Sequence, residues 1–202
     1  MNLRAALSGG AILAAPGVSN PFGALMVEHL GFGAAYLGGN GLGLELGKGQ
    51  PFLEARDIVE AVARIAARVS IPIIADAGTG FGDPAHVARA VRDIEAAGAT
   101  ALHIDDQLTP KRAHYHRGVT QIAPVAEMVA RLERAVAARR SADFMIVARS
   151  DALRVRPGVE THLDRLRAYA RSGVDGLLVL GSTLDDATVL RREFPGLPIF
   201  WI

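Results

Sequence analysis

The sequence predicts a single α/β domain over residues 1–202: a (β/α)8 TIM barrel of which seven strands are present and the C-terminal part is missing. Short apolar segments alternate with amphipathic segments of helical period along the chain, an order typical of a parallel sheet with crossover helices. Aspartate and arginine side chains follow three consecutive strands, and a barrel gathers such strand ends around one mouth. No G-x-G-x-x-G turn follows the first strand, which argues against an open dinucleotide-binding sheet.

The predicted strands are short apolar segments bounded by turn residues. The first ends at Pro16-Gly17, and the third is isoleucine-rich, as expected for a strand buried on both faces. The last would be an apolar edge strand, so we expect these residues to be part of a longer chain or to depend on neighbouring subunits. In order, the predicted strands are residues 11–15, 34–37, 71–75, 101–105, 144–148, 176–180 and 197–202.

The predicted helices lie between these strands and carry apolar residues three and four apart. The helix after the third strand is marked most clearly, because Asp83 can cap it, Pro84 suits its first position and Gly98 suits its end. Two longer connections remain, a glycine-rich one at 38–50 and a polar one at 106–121. The predicted helices are residues 21–29, 52–69, 84–97, 124–138, 159–171 and 184–194.

Composition excludes several classes of protein. The formal net charge is +1, with both signs interspersed, so charge does not favour nucleic acid or a membrane surface as a partner. The absence of cysteine excludes disulfides, thiolate metal sites and a cysteine nucleophile. No apolar run approaches the roughly 18 to 20 residues of a membrane span, and Gly9-Gly10 interrupt the candidate signal segment. We therefore expect a soluble, cytoplasmic protein.

The chemistry is predicted to centre on Asp76, in the stretch PIIADAGTGFGDP at 72–84. This carboxylate falls where the third strand ends, and Asp105 and Arg149 fall at the ends of the next two. Converging carboxylates opposite an arginine suit Mg²⁺ and a substrate carboxylate, whereas the alternative is a structural ion pair of Arg149 with Asp105 or Asp76. His103 shares a strand face with Asp105, and we expect it to support the site rather than to react.

Three stretches of the chain resemble the isocitrate lyase/phosphoenolpyruvate mutase superfamily: PGVSNPFGALMVEHLGFGAAYLGGNG, IPIIADAGTGFGDPAHVARAVRDIEAAGATALHIDDQLTPKR and FMIVARSDAL. The resemblance runs through essentially the whole chain and implies a barrel, a Mg²⁺ site (Mn²⁺ also suits it), small keto or hydroxy acid substrates and a homotetramer. It implies that Asp76 and Asp105 hold the metal, that Lys111 belongs to a gating loop at 106–121, and that Lys111 and Arg149 are catalytic residues. The substrate-binding residues that it implies are Tyr36, Gly38, Gly39, Asn40, Asp76 and Arg149.

Departures from the family pattern narrow the expected reaction. Gly78 stands where the family has a second metal-site aspartate, Leu180 where it has a glutamate, and the loop cysteine of the lyase branch is absent. Cleavage of isocitrate or methylisocitrate by that branch's usual mechanism is therefore not expected. Without that cysteine, another group must supply the proton, and the candidates are His114, His116, Tyr115 or water. The alternative is that these three side chains are part of a solvated loop and do not react.

The function expected from the sequence is that of a Mg²⁺-dependent lyase. It would break a C–C bond of a small 2-keto or 2-hydroxy dicarboxylate by decarboxylation or a retro-aldol step, with an oxaloacetate-type substrate favoured. The alternative is a catalytically degenerate barrel of the same superfamily that binds an anion, which the replacements at Gly78, Ala113 and Leu180 together motivate. A nucleotide-dependent oxidoreductase is disfavoured because the phosphate fingerprint is missing.

Overall fold

A computed structural model of the protein describes residues 2–111 and 121–202. Its strands form one parallel sheet in sequential order, so that each strand pairs with its neighbours in the chain. This is the strand order of a (β/α)8 barrel, and the predicted fold class is confirmed. The strands are β1 (Gly17–Val18), β2 (Ala35–Leu37), β3 (Ile73–Asp76), β4 (Ala101–Asp105), β5 (Met145–Ser150), β6 (Gly176–Val179) and β7 (Ile199–Phe200).

Helices cover the outside of the sheet, and their apolar faces form the main core with it. In α4 the buried residues are Ile58, Ala61, Val62 and Ile65, the stripe that helical spacing predicts. Short 3₁₀ turns occur at Gln50–Phe52 and Val159–His162. The helices are α1 (Leu3–Ser8), α2 (Pro21–His29), α3 (Gly39–Glu45), α4 (Ala55–Ala66), α5 (Pro84–Ala96), α6 (Val125–Ala138), α7 (Ala152–Val155), α8 (Leu163–Arg171) and α9 (Leu184–Glu193).

The prediction of a first strand at residues 11–15 is wrong. Pairing with β2 begins only at Pro16, whose carbonyl accepts from the N–H of Tyr36 at 2.9 Å, and β1 is Gly17–Val18. Ile12 is fully exposed, whereas Leu13 and Ala15 pack against a small cluster inside the sheet. Two residues of the apolar run, Leu13 and Ala15, therefore lie at the floor of the barrel, and the run adds no hydrogen bonds to its wall.

Helix α1 closes that floor. Leu3 is buried among Ala34, Ile74, Ala101 and Met145, the side chains that the sheet turns inward. Two polar contacts hold the helix to distant parts of the chain: Asn2 donates to Asp143 at 2.9 Å, and Arg4 donates to Asp175 at 2.9 Å. The end of the barrel opposite the strand C-termini is thereby sealed by chain-distant contacts.

The glycine-rich connection at 38–50 contains helix α3, which the sequence does not predict. Two of its glycines, Gly39 and Gly43, are required by close approach rather than by backbone freedom. A β carbon on Gly43 would lie 2.7 Å from the carbonyl oxygen of Lys48, and one on Gly39 would lie 2.9 Å from the side-chain amide of Gln50 and 3.2 Å from Asp76. The glycines thus allow the first turn of this helix to lie against the end of β3.

The loop after β3 is held on the end of β4. The N–H of Ala77 donates to the carbonyl of His103 at 3.0 Å, and the N–H of Asp105 donates to the carbonyl of Gly78 at 2.8 Å. Gly78 has a φ of 52°, and Phe81 in the same loop has a φ of 64°, a left-handed conformation that non-glycine residues rarely adopt. The loop is therefore fixed by its neighbours at the carboxyl edge of the sheet.

No helix within residues 2–111 and 121–202 combines the length and the apolar character that a membrane span needs.

Candidate active site

Three neighbouring strands bring the predicted polar residues together. In the parallel register, Asp76 of β3 lies opposite His103 of β4, and Asp105 of β4 lies opposite Arg149 of β5. Each of the four is buried, with Asp105 fully so. The convergence that strand-end reasoning predicts is confirmed by this register.

The carboxylate of Asp76 is fixed by backbone donors. Its Oδ1 accepts from the N–H of Gly78 at 2.8 Å, and its Oδ2 accepts from the N–H of Gly39 at 3.2 Å. Burial alone raises the pKa of Asp76, but His103, Lys111 and Arg149 together with the Gly78 N–H outweigh it and hold that pKa well below its usual range. Asp76 is therefore ionised at neutral pH and oriented from two sides.

The carboxylate of Asp105 is paired with Lys111. The Nζ of Lys111 lies 2.5 Å from Oδ2, and Asp105 is fully buried whereas the Lys111 side chain is 9% exposed. Burial opposes the charged ammonium, but the nearby carboxylates of Asp105 and Asp76 outweigh this and raise the pKa of Lys111 above its usual value. The other oxygen of Asp105, Oδ1, has no hydrogen-bond partner among the described residues. A buried anionic oxygen without a donor indicates a place for a further cation or hydrogen-bond donor.

Arg149 is held by Asp151. Its Nε donates to Oδ1 of Asp151 at 2.9 Å and its Nη2 donates to Oδ2 at 3.3 Å, a two-point contact. Its Nη1 lies 4.0 Å from Asp76, and Asp105 is not among its ion-pair partners. The sequence left open a structural ion pair of Arg149 with Asp105 or Asp76. Only the Asp76 contact is present, and it is long. Burial disfavours the guanidinium, but Asp105, Asp151 and Asp76 raise its pKa further above the usual range.

Tyr36 and His103 form a stacked pair beside Asp76. The Tyr36 hydroxyl lies 2.9 Å from Nε2 of His103, and the two ring centroids are 5.8 Å apart. Burial lowers the pKa of His103 to about 4, so the imidazole is neutral at neutral pH. Its Nδ1 lies 3.9 Å from Asp76 and has no hydrogen-bond partner among the described residues. This geometry agrees with the expectation that His103 supports the site rather than reacts.

A cavity of about 420 Å³ opens at this edge of the sheet. Most of the predicted site residues line it, whereas Asp105 lies behind its wall. The predicted residues in the wall are Tyr36, Gly38, Gly39, Asn40, Asp76, Lys111 and Arg149. His114, Tyr115 and His116 lie outside the described residues, as does most of the predicted gating loop.

Sequence reasoning missed several wall residues. Leu180 lines the cavity, as its correspondence to the family's glutamate implies, but Gln50, Gln107 and Arg154 were not predicted. Gln107 had one available signal, since it directly follows the two aspartates at the end of β4. Gln50 and Arg154 had none, because only the curvature of the sheet brings the 3₁₀ turn and helix α7 that carry them to the cavity.

A second cavity of about 390 Å³ adjoins the first. The two share Gly39, Gln50, Asp76 and Lys111, and the second also contacts Gly78. A β carbon built on Gly78 would meet nothing within 4 Å, so the space where the family pattern has an aspartate is open.

The residues present fit a divalent cation of the hard, oxygen-binding type. Asp105 offers an unpartnered carboxylate oxygen, and Asp76 at the end of the neighbouring strand has both oxygens oriented by backbone N–H groups. The described part of the chain contains no group of three or more His, Cys, Asp or Glu side chains that could hold a metal. Two carboxylates suffice for Mg²⁺, which commonly keeps several waters and takes further oxygens from the substrate.

Comparisons with known proteins agree with this geometry. A 2-methylisocitrate lyase of Aeropyrum pernix is 39% identical over 165 residues, which cover 81% of this chain and 52% of that protein. Phosphoenolpyruvate phosphomutase from Streptomyces platensis subsp. rosaceus matches with a TM-score of 0.92 at 31% identity, over 99% of this chain and 71% of that one. A phosphonopyruvate hydrolase in complex with oxalate and Mg²⁺ matches with a TM-score of 0.88 at 32% identity, over 100% and 70% of the two chains.

The chain spans about half the length of that lyase. The family model described as phosphoenolpyruvate phosphomutase matches residues 3–199, nearly all of the chain. The chain therefore belongs to the phosphoenolpyruvate phosphomutase family, within the isocitrate lyase/phosphoenolpyruvate mutase superfamily.

Proposed function

We propose that the chain is the catalytic barrel of a Mg²⁺-dependent carbon–carbon lyase acting on a small 2-keto or 2-hydroxy dicarboxylate, with an oxaloacetate-type substrate favoured. One observation carries the proposal. The oriented carboxylate of Asp76, the ammonium of Lys111 and the guanidinium of Arg149 line one cavity at the carboxyl edge of the barrel sheet, and Asp105 pairs with Lys111 behind its wall. The hydrolase relative that was solved with oxalate and Mg²⁺ supports the choice of ligand class, since oxalate is a small dicarboxylate.

In this proposal Asp76 and Asp105 hold the divalent cation. When bound, the cation supplies Lewis-acid polarisation of the substrate oxygens. Mn²⁺ has the same preference for carboxylate oxygen and would serve in its place. The chain's own part is to orient both carboxylates, through the N–H groups of Gly39 and Gly78 at Asp76 and through Lys111 at Asp105.

Arg149 binds a substrate carboxylate in this proposal. Its Nη1 is not used by Asp151, and the residue lines the cavity. Tyr36, Gly38, Gly39 and Asn40 form the facing wall. Together they would hold the substrate with its scissile C–C bond near the two carboxylates.

Decarboxylation breaks the bond between C3 and the departing carboxylate. The electron pair moves toward the C2 carbonyl, CO₂ leaves, and C3 then takes up a proton. We assign the proton to His114 or His116, which follow Lys111 by three and five residues in the sequence. Single His114→Gln and His116→Gln variants test this assignment. One of them should lower kcat by about 10²-fold or more, the usual contribution of a general acid.

Turnover of oxaloacetate tests the proposal directly. Pyruvate formation is followed with and without Mg²⁺, and with EDTA. Because metal ions alone accelerate this decarboxylation, the Asp76→Asn protein at the same Mg²⁺ concentration is the control. Cleavage of 2-hydroxy dicarboxylates, including 2-methylisocitrate, is measured in parallel. If the protein adds nothing to the rate of any substrate above that control, the lyase proposal fails.

The alternative is an anion-binding barrel without turnover. It is favoured by one specific observation, the open space at Gly78, since the carboxylate that the family pattern has there is absent. Binding of oxalate with Mg²⁺ in a calorimeter, without turnover of any substrate above, would decide for this alternative.

We further propose a homotetramer in the cytoplasm. Exposed apolar side chains recur four apart on and just after α2, at Phe22, Met26 and Leu30, and such a stripe suits contact with another subunit. Light scattering at several concentrations tests the assembly. A monomer at all concentrations would refute it.

A further inference from the structure

Asp106 is a buried carboxylate that the proposed reaction does not use. It follows Asp105 but does not line either cavity, and no part of it is exposed. Its Oδ1 accepts from the backbone N–H of Asp151 at 2.8 Å. Its Oδ2 accepts from the hydroxyls of Ser150 at 2.8 Å and Tyr169 at 2.9 Å, and from Arg165 at 3.3 Å. Both oxygens are thus fully engaged, two of the four donors coming from the end of β5.

The segment that Asp106 holds is the one that orients Arg149. Asp151 is fully buried, and its carboxylate accepts from Nε and Nη2 of Arg149 and from the side-chain amide of Gln107. The hydrogen bonds therefore form a chain from Asp106 to the backbone of Asp151, and from the carboxylate of Asp151 to the guanidinium. Ser150 lies between Arg149 and Asp151, and its hydroxyl adds a second contact from this segment to the carboxylate of Asp106.

Asp106 also holds the base of the connection that carries Lys111. Its carbonyl accepts from the N–H of Ala123 at 2.7 Å, and Arg165 donates to the carbonyl of Ala123 at 3.0 Å. The carboxylate that fixes the end of β5 thus lies beside the point where this connection returns to the sheet.

We propose that Asp106 is a positioning residue for Arg149, acting through the backbone N–H of Asp151 and the hydroxyl of Ser150. The proposal rests on the proposed function to the extent that Arg149 binds the carboxylate of the substrate. A buried carboxylate is costly, and packing alone would be served as well by an apolar side chain. A flexible guanidinium that is already ordered loses less conformational entropy when it binds a ligand.

The test compares Asp106→Asn with the wild-type protein in two measurements. The first is the affinity for oxalate in the presence of Mg²⁺, by calorimetry. The second is hydrogen exchange of the Nε–H of Arg149 by NMR without ligand, its resonance being identified by its loss in Arg149→Lys. We expect oxalate to bind about tenfold more weakly and the Nε–H to exchange about tenfold faster, as the loss of one buried charged hydrogen bond predicts.

Ser172→Ala is the matched control, because Ser172 is also buried with one hydrogen bond, to the carbonyl of Tyr169, and does not contact Asp106. It should change neither measurement. If Asp106→Asn fails to fold, Tyr169→Phe carries the test, since it removes one donor to Asp106 and keeps the ring; about a threefold change is then expected.

The proposal is refuted if Asp106→Asn leaves the exchange of the Arg149 Nε–H within twofold of wild type. It is also refuted if Ser172→Ala speeds exchange as much, or if exchange rises while oxalate affinity is unchanged. Absence of oxalate binding by the wild-type protein would instead refute the proposed function, and the exchange measurement would still decide whether Asp106 positions Arg149.

Discussion

Replacing Asp76 by asparagine tests the centre of the site. The change keeps the shape of the side chain but removes its charge and one acceptor. Asp76 accepts from two backbone N–H groups, those of Gly39 and Gly78, and an asparagine has a single carbonyl oxygen for them. One buried N–H must then face an NH₂ group.

The size of the effect follows from that unpaired donor. A buried donor left without a partner costs about 1 to 3 kcal/mol, and we take about 2 kcal/mol. For a chain of 150 to 250 residues this lowers Tm by roughly 4 to 8 °C. The loss of charge adds to this cost, because the depressed pKa of Asp76 means that the folded protein favours its ionised form, so this decrease in Tm is a lower bound. Metal affinity and turnover, by contrast, should be almost abolished.

The assay combines thermal unfolding in EDTA, titration with Mn²⁺ and turnover of oxaloacetate. Asp175→Asn is the matched control. Asp175 also accepts a backbone N–H, that of Ile146 at 2.8 Å, and it pairs with Arg4 and Arg139 at the far end of the sheet. It should lose a similar amount of stability and keep both metal binding and turnover. Full Mg²⁺-dependent turnover in Asp76→Asn would place the metal site elsewhere.

The pH dependence adds a second check on Asp76. Because its pKa is depressed in the folded protein, its contribution to stability is fully present above the unfolded value of about 3.9. That contribution is lost as pH falls below this value toward the folded pKa. The stability difference between wild type and Asp76→Asn should therefore be constant from pH 8 to about 5 and shrink in stronger acid. A difference that is unchanged at the lowest pH would refute the depressed pKa.

Three further predictions concern the neighbours of Asp76. Gly78→Asp should tighten Mn²⁺ binding about tenfold or more, because a β carbon at this position has room. In EDTA it should lower the free energy of unfolding by about 1 kcal/mol, because the φ of Gly78 is 52°. Unchanged affinity would argue against metal beside Gly78. Lys111→Met should lower the free energy of unfolding in EDTA by about 3 kcal/mol, because Asp105 is left buried and unpaired, and saturating Mg²⁺ should restore much of it; no restoration would remove Asp105 from the metal site. In EDTA, the stability of wild type should fall by up to about 3 kcal/mol from pH 6.5 to 4, because unfolded His103 takes up a proton that the folded ring, with a pKa of about 4, does not. His103→Gln should lack that fall, and an equal fall in this variant would assign it to other groups.

The strand ends of the site could be predicted from sequence because they depend on local patterns. Asp76 and Asp105 close buried apolar strands, and parallel strands place their carboxyl ends at one edge. Helix α5 was marked by its cap, Asp83, and by Gly98 after its end. Such signals depend only on residues a few positions apart, so they do not depend on tertiary contacts.

Other features depend on tertiary contacts that no local pattern records. The contact of Arg149 with Asp151 required side-chain directions at the end of β5, which spacing alone leaves open. Helix α3 forms against the glycine penalty because only glycine fits so close to Lys48 and Asp76. The run at 11–15 had the composition of a strand, but only Leu13 and Ala15 pack on the barrel floor, and these tertiary contacts override strand propensity.

Helix α1 has a consequence for the order in which the protein can form during synthesis. The contacts of Asn2 with Asp143 and of Arg4 with Asp175 span 141 and 171 positions of the chain. At about 5 to 20 residues per second, Asp175 leaves the ribosome roughly 10 to 30 seconds after Arg4. A six-residue helix is too short to persist alone in water, so α1 cannot dock on this partner until a further 171 residues have been made. The floor of the barrel is thus the first part of the described chain to be made, yet it is completed only after residue 175 has followed.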